Sequence, residues 1–155
     1  MKNVAAIVLA AGKSKRLEKD INKVLLPLFN KSLISYAVDL LAGINVPIYI
    51  VVGYGKDLVK KTVGNKANYV QQDKQLGTGH AVMCVLPVLE KSAQNVIVMM
   101  GDHSFALTPD SLFKLHDIHN KTKADITLLT VLTKNTAGYG RIVRSKNGEI
   151  KGIID

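Results

Sequence analysis

The sequence has little cysteine, few aromatic residues and little arginine, and each shortage narrows what it can be. Cys84 is the single cysteine. That excludes an internal disulfide framework and favours a reducing, cytoplasmic setting. Cys84 lies in an apolar run, AVMCVLP, which reads as a core thiol rather than a nucleophile. Aromatics make up 5% of the chain, few for stacking on single-stranded nucleic acid. Arg16, Arg141 and Arg144 are the arginines; the other basic residues are lysines spread along the sequence. The formal net charge of +9 suits an anionic partner, yet bidentate recognition of bases and phosphates favours arginine. The charge therefore reads as solvated lysine surface, with a minority aimed at small phosphorylated ligands. Nucleic acid is not the expected partner. No apolar run approaches the roughly 18 residues needed to cross a bilayer, so no membrane partner is expected either.

What is present is a chain of 155 residues, 47% hydrophobic, enough for one domain with a real core. Apolar strand-like runs alternate with helix-like stretches. Asn3–Ala11, Val46–Val52, Ala67–Gln72, Asn95–Met100 and Ala124–Thr133 read as strands, the longer ones apolar enough to be covered on both faces. Between them, Ser32–Ile44 carries one apolar helical face, with Ser32 as its N-cap. Lys56–Val63 reads as a short helix, and Thr78–Glu90 as a helix that Pro87 shortens. Thr108-Pro109-Asp110 starts a helix running to about Lys121. Asn147-Gly148 marks a hairpin between Arg141–Arg144 and Glu149–Ile154. The expected fold is α/β: a mostly parallel sheet with helices on both faces, ending in a β-hairpin. The chain stops directly after the strand-like GIID, which suggests a piece of something longer.

The opening MKNVAAIVLAAGKSKR admits three readings. A secretory signal fits its basic start and short apolar core, but KSKR follows at once. A Walker A loop would need glycine at position 7, where Ile7 stands. A buried strand running into a basic, phosphate-holding turn fits the alternating pattern best. In an open parallel sheet, ligands bind at the carboxyl ends of strands. Those ends carry Gly12-Lys13-Ser14-Lys15-Arg16, then Gln71-Gln72 with Leu76-Gly77-Thr78-Gly79, then Gly101-Asp102, then Gly138-Tyr139-Gly140-Arg141. Glycines allow close approach of backbone amides, and Thr78 opens a helix whose N-terminus favours anions. Asp102 is either a turn aspartate or a carboxylate that holds Mg²⁺ against substrate phosphates. His116 and His119 share a helix face, but no cysteine or carboxylate spacing makes a zinc site of them with His103. His80 reads as loop support.

LAAGKSKR (9–16), NKVLLPL (22–28), QQDKQLGTGHAV (71–82), Gly101-Asp102 and GYGRIVR (138–144) come in the order and spacing of the sugar-phosphate nucleotidyltransferases. Within that family the chain most resembles the N-terminal uridyltransferase domain of the bifunctional N-acetylglucosamine-1-phosphate uridyltransferase/glucosamine-1-phosphate acetyltransferases. The likeness spans residues 1–155 but about the first two-thirds of such a domain. It implies a Rossmann-like fold and a Mg²⁺-dependent, cytoplasmic reaction in UDP-N-acetylglucosamine biosynthesis, in which a sugar-1-phosphate attacks the α-phosphorus of UTP and pyrophosphate leaves. It implies that Leu9, Ala10, Ala11 and Gly12 line the nucleotide and that Arg16 and Lys23 face the triphosphate. It places Gln72, Gly77 and Thr78 on the base and ribose side, Asp102 on Mg²⁺, and Gly140 and Asp155 on the sugar. A homo-oligomer built through a C-terminal region absent from this sequence is also implied.

The sequence departs from the family at several points. Ser14 and Lys15 replace the usual glycine and threonine, Asn22 replaces a proline, and His103 and Ser104 replace an apolar residue and a proline. Asp155 stands where glutamate is usual, and the later asparagines, one a metal ligand, lie beyond the end. Two other readings stay open: a non-catalytic nucleotide-binding or regulatory module of the same fold, and a nucleotidyltransferase using CTP or GTP.

Overall fold

The strand β1 (Val4–Ala10) is buried at every position, and the first of two compact units is built around it. The computed structural model describes residues 1–13 and 21–154; the units are Met1–Asp117 and Ile118–Asp155. In the first, β1 is followed by a short hairpin, β2 (Pro27–Leu28) and β3 (Lys31–Ser32). Then come α1 (Leu33–Gly43), β4 (Ile48–Val52), α2 (Lys56–Val63), β5 (Asn68–Gln71), α3 (Thr78–Val85) and β6 (Asn95–Met100). α4 (Pro109–Thr122) begins in this unit.

The sheet order is β5-β4-β1-β6, and every pairing is parallel. Because side chains alternate along a strand, β1 feeds two cores. Val4, Ala6, Val8 and Ala10 join residues of α1 and α2 with Leu112 of α4. Ala5, Ile7, Leu9 and Ala11 join Ala81 and Val85 of α3. The topology explains the split. The chain moves from β1 to β4 and β5 on one side, then returns to the other side of β1 with β6. Crossovers of one hand that run in opposite directions cover opposite faces. That reversal makes the carboxyl ends of β1 and β6 the switch point of the sheet, where such folds bind ligands.

The helix ends follow local chemistry. Thr108 caps α4, its Oγ1 accepting from the Ser111 amide at 3.3 Å. Ser32 occupies the N-cap of α1 without a side-chain cap bond; its hydroxyl pairs with that of Ser35 instead. α3 gives way after Val85 to a 3₁₀ turn, Leu86–Val88, that contains Pro87.

In the second unit, β7 (Arg141–Arg144) and β8 (Ile150–Ile154) form the expected antiparallel hairpin, turning at Gly148 with φ 85°. The fifth strand expected over Ala124–Thr133 is not formed; the segment has no strand assignment. Its apolar side chains are largely exposed, Ile126 and Val131 at 75% each. Apolar composition alone does not make a strand, since an extended segment needs a partner to take its backbone hydrogen bonds. No described segment pairs with it.

Candidate nucleotide site

The loop after β1 and the loop after β5 form the two walls of a cleft of about 250 Å³. Leu9, Ala11 and Gly12 line it from β1 and its end. Gln72, Gln75, Gly77 and Thr78 line it from the second loop, with Ala81 of α3 and Met100 of β6. Of the residues expected at a nucleotide, Leu9, Ala11, Gly12, Gln72, Gly77 and Thr78 are thus brought together. Ala10 is not among them. Its side chain points to the opposite core, because a strand sends successive side chains to opposite faces.

Hydrogen bonds fix both walls. The Ala11 carbonyl accepts from the Gln75 side chain at 2.7 Å and from the Tyr54 amide at 3.1 Å. The backbone N–H of buried Gln72 donates to the Val52 carbonyl at 2.8 Å, which extends the β4–β5 ladder by one residue. Its Nε2 donates to the Gly77 carbonyl at 3.1 Å and lies 2.9 Å from His80 Nδ1. With both amide hydrogens engaged, its Oε1 is the atom left to meet a ligand. Gly77 holds φ 101°, a region that strains residues with a Cβ. It is also the N-cap of α3, so no side-chain cap satisfies the first-turn amides. Amides in that position favour an anion. His80 therefore supports the loop, as expected. Cys84, read as a core thiol, is half-buried, with its sulfur 3.9 Å from His80 Nδ1.

At the end of β6, Asp102 is a mostly buried carboxylate with Lys23 Nζ 2.8 Å from its Oδ2. Lys23 itself is half exposed. His103 Nε2 lies 3.6 Å from the same oxygen. The lysine is carried on a 3₁₀ turn, Lys23–Leu25, whose Val24 is buried. Beyond the pair, Ser104 is 2% exposed, and its Oγ has no hydrogen-bond partner among the described residues. No group of three or more His, Cys, Asp or Glu side chains that could hold a metal occurs among the described residues. A single carboxylate nevertheless suits Mg²⁺, which takes one or two and completes its shell with phosphate and water oxygens.

Arg16 and Asp155, with the departures at Ser14 and Lys15, lie outside the described residues. Gly140 lies in the second unit, just before β7. There it lines a separate cavity of about 550 Å³ with Tyr139, Arg141 and residues of the 128–133 segment. Sequence reasoning missed Gln75, Ala81 and Met100. Gln75 sits inside the quoted QQDKQLGTGHAV motif and could have been named; Met100 depends on its register opposite Leu9, which no local signal reveals.

Among the described residues, no helix is long and apolar enough to cross a membrane. Solved structures share the fold. HddC from Yersinia pseudotuberculosis, complexed with GMP-PN, has a TM-score of 0.75 at 19% identity, covering 100% of this chain and 69% of that one. Rv0371C from Mycobacterium tuberculosis, in complex with manganese, has a TM-score of 0.63 at 18% identity, covering 77% and 61%. In sequence, the bifunctional protein GlmU of Acholeplasma laidlawii is 40% identical over 100% of this chain and 34% of its own length. GlmU of Bacillus subtilis is 36% identical over 97% and 33%. The chain thus spans about a third of the length of these relatives. The model of the nucleotidyl transferase family matches residues 5–155, nearly the whole length of the chain, and the chain belongs to that family.

Proposed function

We propose that the chain carries the nucleotide-binding part of a uridylyltransferase. The reaction joins UTP to a sugar-1-phosphate, with N-acetylglucosamine-1-phosphate as the acceptor, and gives a UDP-sugar and pyrophosphate. One observation carries the reading: a cleft with a glycine-capped helix N-terminus and a lysine–carboxylate pair both stand at the carboxyl ends of one parallel sheet. At 250 Å³ the cleft falls below the roughly 300–1,000 Å³ of sites for drug-sized ligands. It suits one end of a nucleotide.

In the reaction, an oxygen of the sugar-1-phosphate attacks the α-phosphorus of UTP. The bond from that phosphorus to its bridging oxygen breaks, and pyrophosphate leaves with the electron pair. Little covalent help is needed; positioning and charge neutralisation supply the rate. The cleft residues hold the base and ribose. Lys23, half exposed at the switch point, brings positive charge to the triphosphate, and Arg16 has the same role by family resemblance. Asp102 is the residue that would hold a divalent cation, Mg²⁺, which when bound supplies further charge neutralisation.

Calorimetry of the chain with UTP, CTP and GTP in the presence of Mg²⁺ tests the first half. Pyrophosphate release on addition of N-acetylglucosamine-1-phosphate tests the second. Preferential UTP binding followed by release is expected. UTP binding without turnover would make the chain a non-catalytic nucleotide module, and a CTP or GTP preference would move it to another branch of the family.

A further inference from the structure

Between the end of β1 and the lysine turn lies a side chain whose hydrogen-bonding capacity is directed at three separate segments. Asn22 is 2% exposed. Its Nδ2 donates to the Ala10 carbonyl at 2.7 Å and to the Tyr54 carbonyl at 2.8 Å. Its Oδ1 accepts from the Val24 amide at 3.2 Å. The chemistry fixes the orientation of the amide: two carbonyls must face its hydrogens, and a backbone N–H must face its oxygen. One side chain therefore ties together the last residue of β1, the loop after β4 and the turn that begins at Lys23.

The turn is held from the other side as well. Val24 packs where a Cβ on Gly101 would come within 3.1 Å of its Cγ1, and the Gly101 amide donates to the Leu9 carbonyl at 3.0 Å. Lys23 thus rises from a turn fixed between Asn22 and the segment that presents Asp102. A lysine ammonium sits at the end of a flexible four-carbon stem, so the placement of its Cα sets the region that the charge can reach.

We infer that Asn22 is a positioning residue: its side-chain amide sets the direction in which Lys23 presents its ammonium group to Asp102 and to the triphosphate. The second half rests on the proposed reading of the site. The first half does not.

The test follows the Lys23 side chain directly. In protein carrying ¹³C-lysine, the Lys23 Cε signal is assigned by its loss in Lys23→Arg. Asp102→Asn supplies the reference for a lysine without its carboxylate. Asn22→Asp keeps the shape but turns an oxygen against two carbonyls; Asn22→Ala removes all three bonds. Both are expected to move the Lys23 signal towards its position in Asp102→Asn while the other lysine signals hold still. Should both fail to fold, Asn22→Pro decides. Asn22 has φ −69°, which proline adopts without strain, so this variant keeps the backbone path and drops the side-chain bonds. A Lys23 signal that stays in place in the folded variants overturns the inference.

UTP titration of the same variants separates the two readings. About tenfold weaker binding is expected, since a charge-assisted contact is misplaced. A moved Lys23 signal with no UTP binding by the unaltered chain leaves the positioning role standing and sinks the uridylyltransferase. A moved signal with unchanged UTP affinity overturns the link to the triphosphate. UTP binding with an unmoved signal sinks the positioning role alone.

Discussion

Gln75 and Ala11, 64 positions apart, meet in a single 2.7 Å bond from the glutamine side chain to the alanine carbonyl. That bond joins the two walls of the cleft. Replacing Gln75 by alanine leaves the Ala11 carbonyl satisfied by the Tyr54 amide, so stability should barely change. The wall itself loses its tie. Nucleotide affinity should fall by about 1 kcal/mol, the net value of a neutral hydrogen bond, as read by calorimetry. An unchanged affinity would show that the tie is not needed for binding.

Gly53 ends β4 against the same segment. A Cβ there would lie 2.8 Å from the Ala11 carbonyl oxygen and 3.2 Å from Ala11 Cα. Both are backbone atoms, unable to swing aside as a flexible side chain can. Gly53→Ala should therefore cost about 1–3 kcal/mol of stability, the usual range for overpacking. A denaturant titration that shows a midpoint equal to that of the unaltered chain would contradict this.

The β2–β3 hairpin turns through Phe29 at φ 52°, and the ring is 89% exposed. The residue bears the strain of a left-handed conformation and gains almost nothing from burial. Phe29→Gly is expected to raise stability by about 1 kcal/mol, as the strain relieved outweighs the extra freedom of the unfolded chain. A lower melting temperature would show that the ring makes contacts of value.

Asp39 accepts from Lys31 at 2.7 Å and pairs with Lys66 at 3.4 Å. The hydrogen bond from Lys31 holds its carboxyl below the ordinary value of 3.8, and the same bond raises Lys31 above 10.5. A depressed carboxyl contributes stability above its unfolded pKa and loses it as pH falls through the folded one. A raised lysine contributes below its unfolded pKa and loses it as pH rises through the folded one. The unaltered chain should therefore exceed Asp39→Asn in melting temperature around neutrality, by a small margin for so exposed a pair. The gap should close as pH drops below about 3.8. A gap that persists in acid would mean that the substitution acts through something other than charge.

The sheet was legible because its strands are short apolar runs ended by turn residues; β1 and β4 are buried at every position, whereas β6, equally apolar, leaves Val96, Val98 and Met100 on an exposed face. The 124–133 segment misled for the same reason: it has strand composition, but pairing is a property of neighbours rather than of the run itself. The cleft was legible through its motifs, with one lesson in periodicity. Along the motif at 9–12, the twofold alternation of β1 sends the side chains of Leu9 and Ala11 one way and that of Ala10 the other. Asn22 was visible only as a departure from the family. Its three bonds reach Ala10, Val24 and Tyr54, a long-range geometry that local patterns do not encode.

The reversal of strand order at β1 has a kinetic side. Pairing of β1 with β4 closes a much shorter loop than pairing with β6, and long closures form late in folding. The hairpin-like economy of early contacts is therefore unavailable to β6, which is the later of the two neighbours of β1 to dock. Its departure would bare one flank of β1 and carry Asp102 away from Lys23 in the same event. Amide protons on the β1–β6 ladder thus become reporters for the ion pair, and exchange rates there would measure how often the site comes apart.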